Sequence, residues 1–572
     1  MANQKMENVL NLALAATPEE LERSETLAVG YNPEERTWEV IVKHSRPLEG
    51  LEAMGVRQQE LLNQYSILTV PQSRLQEVSE LPQVEYIEKP KRLYFSVESA
   101  KSASCITYVQ VRGSSYAPYL TGRGCIVAVI DSGIDYFHDD FRNEDGTTRI
   151  LELWDQTLDR VFTEEEINEA LRTGNRQSAR AMVPSVDGSG HGTAVAGISA
   201  GNGRESGGRN MGVAFDSRLM VVKLGAPDPL GFPRTTELMR ALDYVVRRAS
   251  QFDMPVAVNV SIGNTYGSHD GTSLLETYID GISNYGKNVI VVGSGNEGRS
   301  SGHAAGVLSM NQSVNIELSI APYESGITVQ LWKYYVDDMD ITLVTPSGRI
   351  LGPFPAVIGP QTYNYESTRI LLYYGEPGPF TMAQEIYFDF MPLYQDYLQS
   401  GIWIFHLTPR KIVRGNYDFW LPSSAVLNKS TYFLRPSSDT TLTIPSTASM
   451  AVTVGAYNSS YQAYADFSGR GFTRVTNQVK PDIAAPGVNI MTAKNGGGYE
   501  AVTGTSFAAP FVTGSAALLM QWGIVEGRDE FLYGEKVKAY LIRGARELPG
   551  YDEWPNRQMG WGALCLKDSL PV

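Results

Sequence analysis

Cysteine is scarce: Cys105, Cys125 and Cys565 are the three in a chain of 572 residues. So few thiols exclude a disulfide-stapled scaffold and point to synthesis in a reducing compartment. A long apolar run near the start is missing too. The opening MANQKMENVLNLALAATPEELERSE has an apolar stretch of only about seven residues before acidic ones begin, too short for a secretory signal or a membrane span. It reads as a short amphipathic leader on a protein made in the cytoplasm. Basic clustering is absent as well. Lys and Arg number 48 against 63 Asp and Glu, a net charge of −15, with the signs interspersed. That balance gives no footprint for nucleic acid and reads as solubility. Among six histidines, His44, His269 and His406 show no metal-ligand spacing.

What is present is globular: 42 % hydrophobic residues and 54 glycines. The length suits several domains of roughly 100–200 residues each. Over 126–296, buried-strand runs (Ile126–Ile130, Leu219–Val222, Val256–Val260, Val289–Val292) alternate with helix-period segments such as Thr236–Ser250 and Ser273–Tyr285. The alternation predicts a parallel sheet with helices on both faces. Over 305–440 the pattern becomes β-branched and aromatic with turn residues between: 314–320, 327–333, 340–346, 401–409 and 416–422. That predicts an all-β sandwich or jelly roll, whose aromatics Trp332, Tyr334, Tyr335, Trp403 and Trp420 read as core. Met450–Ala456 and Phe507–Trp522 resume the α/β style, so the β module is an insertion. Residues 30–95 form another unit. Strands at 38–44, 65–71 and 84–95 with helices at 51–64 and 73–81 predict a ferredoxin-like α+β sandwich. The domains are therefore 1–100, 101–304, 305–440 and 441–572.

Three distant segments carry chemistry. Asp131 ends an apolar strand in VAVIDSGID, His191 opens a small-residue helix in DGSGHGTAVAG, and Ser506 opens another in GTSFAAPFVTG. A serine hydroxyl is a weak nucleophile near neutral pH. A histidine must take its proton, and a carboxylate must hold the histidine tautomer. A fourth element, VVGSGNEG at 291–298, holds Asn296.

These motifs, in this order, resemble the subtilisin-like serine proteases (subtilases) over about 101–304 and 441–572. The resemblance implies the subtilisin-like three-layer fold, with Asp131 orienting, His191 as general base, Ser506 as nucleophile and Asn296 as the oxyanion donor. It also implies peptide pairing along Ser261, Ile262 and Gly263, with Gly293, Ser294 and Gly295 as another wall of the first specificity pocket. His138 follows the aspartate motif where the family has a structural histidine, and His303 reads as a loop-fixing residue. Asp140 aligns with a calcium ligand in some subtilases, but its partner loop at 201–210 is Arg- and Gly-rich and altered in length. No cofactor or metal is expected.

A subtilase without a signal sequence, with an N-terminal prodomain and an insertion between Asn296 and Ser506, resembles the Csp germination proteases of clostridial spore formers. That resemblance implies self-cleavage within 96–105 and a prodomain that stays bound non-covalently. It further implies a spore location and a protein substrate, the zymogen of a cortex-lytic hydrolase. Three other readings are a Csp-type signalling partner without catalysis, as in members that lack triad residues, an intracellular maintenance subtilase, which would lack the insertion, and a β module that binds carbohydrate and tethers the protein in peptidoglycan.

Overall fold

A computed structural model describes residues 3–24, 26–91, 94–95, 102–110, 118–226 and 231–571. The chain divides into two compact units: Met1–Arg92 with Asn264–Leu274 and Arg299–Thr440, and Leu93–Gly263 with Leu275–Gly298 and Thr441–Val572.

The second unit is built on a nine-stranded sheet. Its centre runs Val452–Asn458, Asn288–Gly293, Val256–Val260, Ile126–Asp131, Arg218–Lys223, all parallel. Every residue of Ile126–Asp131 is buried, which is why these strands read as continuous apolar runs and not as alternating ones. On one face Val127 and Val129 share a core with Val195, Ile198, Phe511 and Val512. On the other, the helix Thr235–Gln251 packs against the strands 126–131, 218–223 and 256–260. The helix Thr505–Met520 is buried along all its residues. By length and composition the run Thr505–Val525 could cross a membrane, but 83 % of its apolar window is buried inside the fold, as a core helix is.

The same unit corrects one expectation. Cys105 and Cys565 form a disulfide across 460 residues of sequence, and Cys125 is the buried free thiol. Sequence separation hides such a pair, since only the fold brings the two Cα atoms to 4.8 Å.

In the first unit the inserted residues form two antiparallel sheets, of six and five strands, around one apolar core that includes Leu331, Phe388, Trp403, Phe405 and Phe419. The expected strands are there. Six more are not anticipated from the pattern, the longest being Gly359–Tyr365, Thr368–Tyr374 and Ala383–Pro392. Trp332, Trp403 and Trp420 are buried, whereas Tyr335 is exposed.

The N-terminal residues form an antiparallel sheet in the order Val84–Glu88, Thr37–His44, Tyr65–Pro71, Arg57–Leu61, with the short Tyr31–Asn32 beside Trp38 and Thr37. The helix expected over 51–64 is not formed. A single 3-10 turn at Glu52–Met54 stops at Gly55, whose φ of 71° is left-handed. Arg57–Leu61 then pairs with the next strand through a turn at Asn63 and Gln64, both at positive φ. Pairing outweighs the local helix preference of RQQELL here. The leader also folds: Asn8–Ala15 is a helix whose Leu10, Leu12 and Ala13 are buried, in a core shared with Leu371, Tyr373, Tyr387 and Met391 of the inserted sheet. The strand expected over 84–95 ends at Glu88. The expected self-cleavage segment falls largely on 96–101, outside the described residues.

Candidate active site

Asp131 is the last residue of its strand and fully buried. Its Oδ1 accepts from His191 Nδ1 at 2.7 Å and from the Ser132 N–H at 2.7 Å, while Oδ2 has no partner among the described residues. A buried carboxylate on Nδ1 fixes the imidazole tautomer and leaves Nε2 as the basic nitrogen.

The approach of His191 to Asp131 depends on two glycines. Gly190 caps the helix His191–Ala200 at φ 80°, a left-handed conformation that other residues adopt at a cost. At Gly192 a Cβ would lie 2.1 Å from the Gly133 carbonyl oxygen and 3.1 Å from Asp131 Cβ. A carboxylate not singled out from the motifs, Asp187, ties this helix start down. Its Oδ1 accepts from Ser132 Oγ (2.8 Å) and the Gly190 N–H (2.9 Å), and its Oδ2 from the Thr193 N–H (2.9 Å) and Thr193 Oγ1 (2.6 Å). An acidic residue just ahead of a helix that opens on glycine is a capping signal, and it was readable in DGSGHGT.

Ser506 sits in the first turn of Thr505–Met520 and is 3 % exposed. Pro510 lies four residues on and has no N–H to give the Ser506 carbonyl. Ser261 Oγ donates to that carbonyl instead, at 2.8 Å, and the Ser506 hydroxyl donates to the Ser261 carbonyl at 3.1 Å. The two segments are thus cross-tied beside the strand Ile262–Gly263. That strand pairs antiparallel with Tyr94–Phe95 of the same chain, Phe95 opposite Ile262 and Tyr94 opposite Gly263.

Asn296 is oriented by Thr505. Its Oδ1 accepts from the Thr505 N–H at 3.0 Å and from Thr505 Oγ1 at 3.1 Å. Two donors on that atom identify it as the oxygen, so the amide NH2 points the other way. Gly293, Ser294 and Gly295 lead into it as packed backbone. Ser294 is fully buried and its N–H bonds the Val454 carbonyl. At Gly295, φ is 89° and a Cβ would meet Thr443 at 2.4 Å.

The remaining histidines and the candidate calcium ligand are engaged elsewhere. His138 Nδ1 accepts from the Asp140 N–H, and Nε2 is 3.0 Å from the Gly498 carbonyl oxygen and 3.1 Å from Glu205. His303, the first residue of the strand His303–Val307, stacks on Trp420 and contacts Asp418. Asp140 is buried, and burial raises its pKa. Both its oxygens take the Tyr499 hydroxyl, at 2.8 and 2.9 Å, and Oδ1 also takes the Glu205 N–H. These three hydrogen bonds already engage both oxygens of the Asp140 carboxylate. Among the described residues no group of three or more His, Cys, Asp or Glu is placed to hold a metal.

The family model for the Csp protease B prodomain matches residues 4–91, and that of the subtilase family matches 122–347 and 415–562. The chain therefore belongs to the subtilase family of serine proteases. Its fold is similar to that of the CspB protease of Clostridium perfringens, at 36 % identity and a TM-score of 0.76, over 82 % of this chain and 96 % of that one. It is 24 % identical over 477 residues to the minor extracellular protease Vpr of Bacillus subtilis (strain 168), covering 79 % of this chain. It is 33 % identical over 151 residues to the serine protease AprX of the same organism, covering 23 % of this chain. The chain spans 52 % of Vpr's own length and 32 % of AprX's.

Proposed function

We propose that the chain is a self-processing serine endopeptidase. The observation that carries the reading is the pairing of its own Tyr94–Phe95 with Ile262–Gly263, next to the Ser261 carbonyl that meets the Ser506 hydroxyl. A peptide held as an added strand on that edge gains backbone hydrogen bonds with little side-chain selection.

In the proposed reaction the Ser506 oxygen attacks the scissile carbonyl carbon as its proton passes to His191 Nε2, and Asp131 stabilises the imidazolium. The charge that develops on the carbonyl oxygen is met by the Asn296 NH2 and the Ser506 N–H. Collapse breaks the C–N bond, and the imidazolium gives its proton to the leaving amine. Water, deprotonated by His191, then hydrolyses the acyl-enzyme and returns Ser506. No cofactor takes part.

Cleavage within 96–105 would leave residues 1–100 bound non-covalently through the core that Leu10 and Trp38 share with Leu371 and Tyr387. We read the N-terminal sheet as ferredoxin-like on its strand order and the two-sheet insertion as a jelly roll. The likeness to the CspB protease and its prodomain supports a spore-associated enzyme whose protein substrate is a cortex-hydrolase zymogen. A serine-directed fluorophosphonate tests the chemistry. It should label Ser506 alone, and stable labelling of another residue would overturn the assignment. Truncation of a purified cortex-hydrolase zymogen by the wild type, and not by Ser506→Ala, tests the substrate.

A further inference from the structure

The first unit contains a cavity that the proposed reaction does not use. Its volume is about 90 Å³, room for several waters. All its lining residues belong to the N-terminal module, the segment 264–274 and the inserted sheets. Two features of its wall are unusual together: rings (Tyr86, Trp332 and Tyr387) and buried carboxylates (Glu7, Glu88 and Glu385).

Two of the three carboxylates are satisfied. Lys91 Nζ lies 3.0 Å from Glu7 and 2.7 Å from Glu88. The Lys89 N–H also donates to Glu7, and the Leu274 N–H to Glu88. Glu385 is different. It is 5 % exposed, and among the described residues the hydrogen bond its side chain accepts is a long one from Asn8 Nδ2 at 3.4 Å. Burial, and then the charge of Glu7, push its pKa up to about 8. On the same wall Gln330 is 2 % exposed. Its Oε1 accepts from the Gly267 N–H at 3.0 Å, but its Nε2 has no partner among the described residues. A protein seldom places a buried carboxylate with so weak a hydrogen bond and a buried amide donor with no partner around one opening.

The two leftover groups ask for opposite things. Glu385 needs a cationic donor, and Gln330 Nε2 needs an acceptor. Aromatic walls favour an organic cation over a hydrated metal ion, because ring faces attract an ammonium and give a metal no oxygen ligands. We propose that this cavity binds a small organic molecule with an ammonium group at one end and an acceptor at the other. The ammonium sits on Glu385 among Tyr86, Trp332 and Tyr387, and the acceptor faces Gln330 Nε2. The site is separate from the peptidase reading and does not rest on it.

Isothermal titration of the full chain with three probes of equal length tests the assignment: 4-aminobutan-1-ol, butane-1,4-diol and 4-hydroxybutanoate. The amine should bind at least about tenfold more tightly than the other two, as a buried ion pair among rings requires. Glu385→Gln should remove that preference, and Gln330→Met should weaken the amine while retaining the preference. Equal binding of amine and diol, no binding of the amine, or heat from calcium or potassium chloride alone would each overturn the proposal. If Glu385→Gln does not fold, the three-probe comparison on the wild type decides the matter.

Discussion

Thr505 donates twice to one atom, the Oδ1 of Asn296, through its backbone N–H at 3.0 Å and its hydroxyl at 3.1 Å. Two bonds to the carbonyl end of an amide aim its NH2 end, and Thr505 Oγ1 also accepts from the Gly295 N–H. Thr505→Val keeps the shape and the backbone donor but loses the hydroxyl. Its kcat on a peptide substrate should fall several-fold with KM little changed, while Asn296→Ala should fall by about 10²–10³. Full kcat in Thr505→Val would show that the hydroxyl does not position Asn296.

Asp187 receives four hydrogen bonds around the start of the His191 helix. Asp187→Asn turns an NH2 toward two of those donors. In a Ser506→Ala background, where self-digestion cannot intervene, unfolding stability should drop by about 1–3 kcal/mol. With Ser506 present, kcat should fall as well. An unchanged melting temperature would contradict the capping role.

The disulfide makes two predictions in one chain. Thiol titration of the unfolded, unreduced protein should find one free cysteine, Cys125, and three would contradict the Cys105–Cys565 bond. Cys105→Ala or reductant should each lower stability by about 2–5 kcal/mol, because a very long loop is released. The two effects should not add.

A buried ion group gives a pH dependence. Asp482 Oδ2 is 2.7 Å from Lys480 Nζ and its Oδ1 is 2.9 Å from Lys538 Nζ. Burial alone would raise the Asp482 pKa, but the two lysines outweigh it and hold it below 3.8. A depressed carboxylate adds stability above its unfolded pKa, and that stability is lost as pH falls through the folded value. Lys538→Met should therefore cost about 1–3 kcal/mol at pH 7, less than a wholly unpaired charge because Lys480 remains. The cost should shrink toward pH 2. An equal cost at both pH values would contradict the assignment.

The residues most legible in the sequence are those held by local chemistry. Asp131, His191 and Ser506 each lie where an apolar strand or a small-residue helix meets glycine, and the parallel strands around them are short apolar runs that need no partner to be recognised. Arg57–Leu61 was illegible because RQQEL has no alternating pattern and becomes a strand only through its neighbour Tyr65–Pro71. The Cys105–Cys565 pair was hidden by its separation. Ser261 looked like a substrate contact alone; that it also fills the hydrogen bond denied by Pro510 is visible only once the helix and the edge strand are side by side. Glu385 carries no signal of its own in the sequence, and only the packed sheets reveal it as buried.

The most direct test is to express the wild type and Ser506→Ala side by side, confirm that both fold, and compare them on reducing and non-reducing denaturing gels. The wild type should separate into a small fragment ending within 96–105 and a large one, while Ser506→Ala stays whole. Because Cys105 is bonded to Cys565, a cut before Cys105 must separate the pieces without reductant. A folded wild type that remains intact, or a Ser506→Ala variant that is cut just as readily, would contradict self-processing by Ser506.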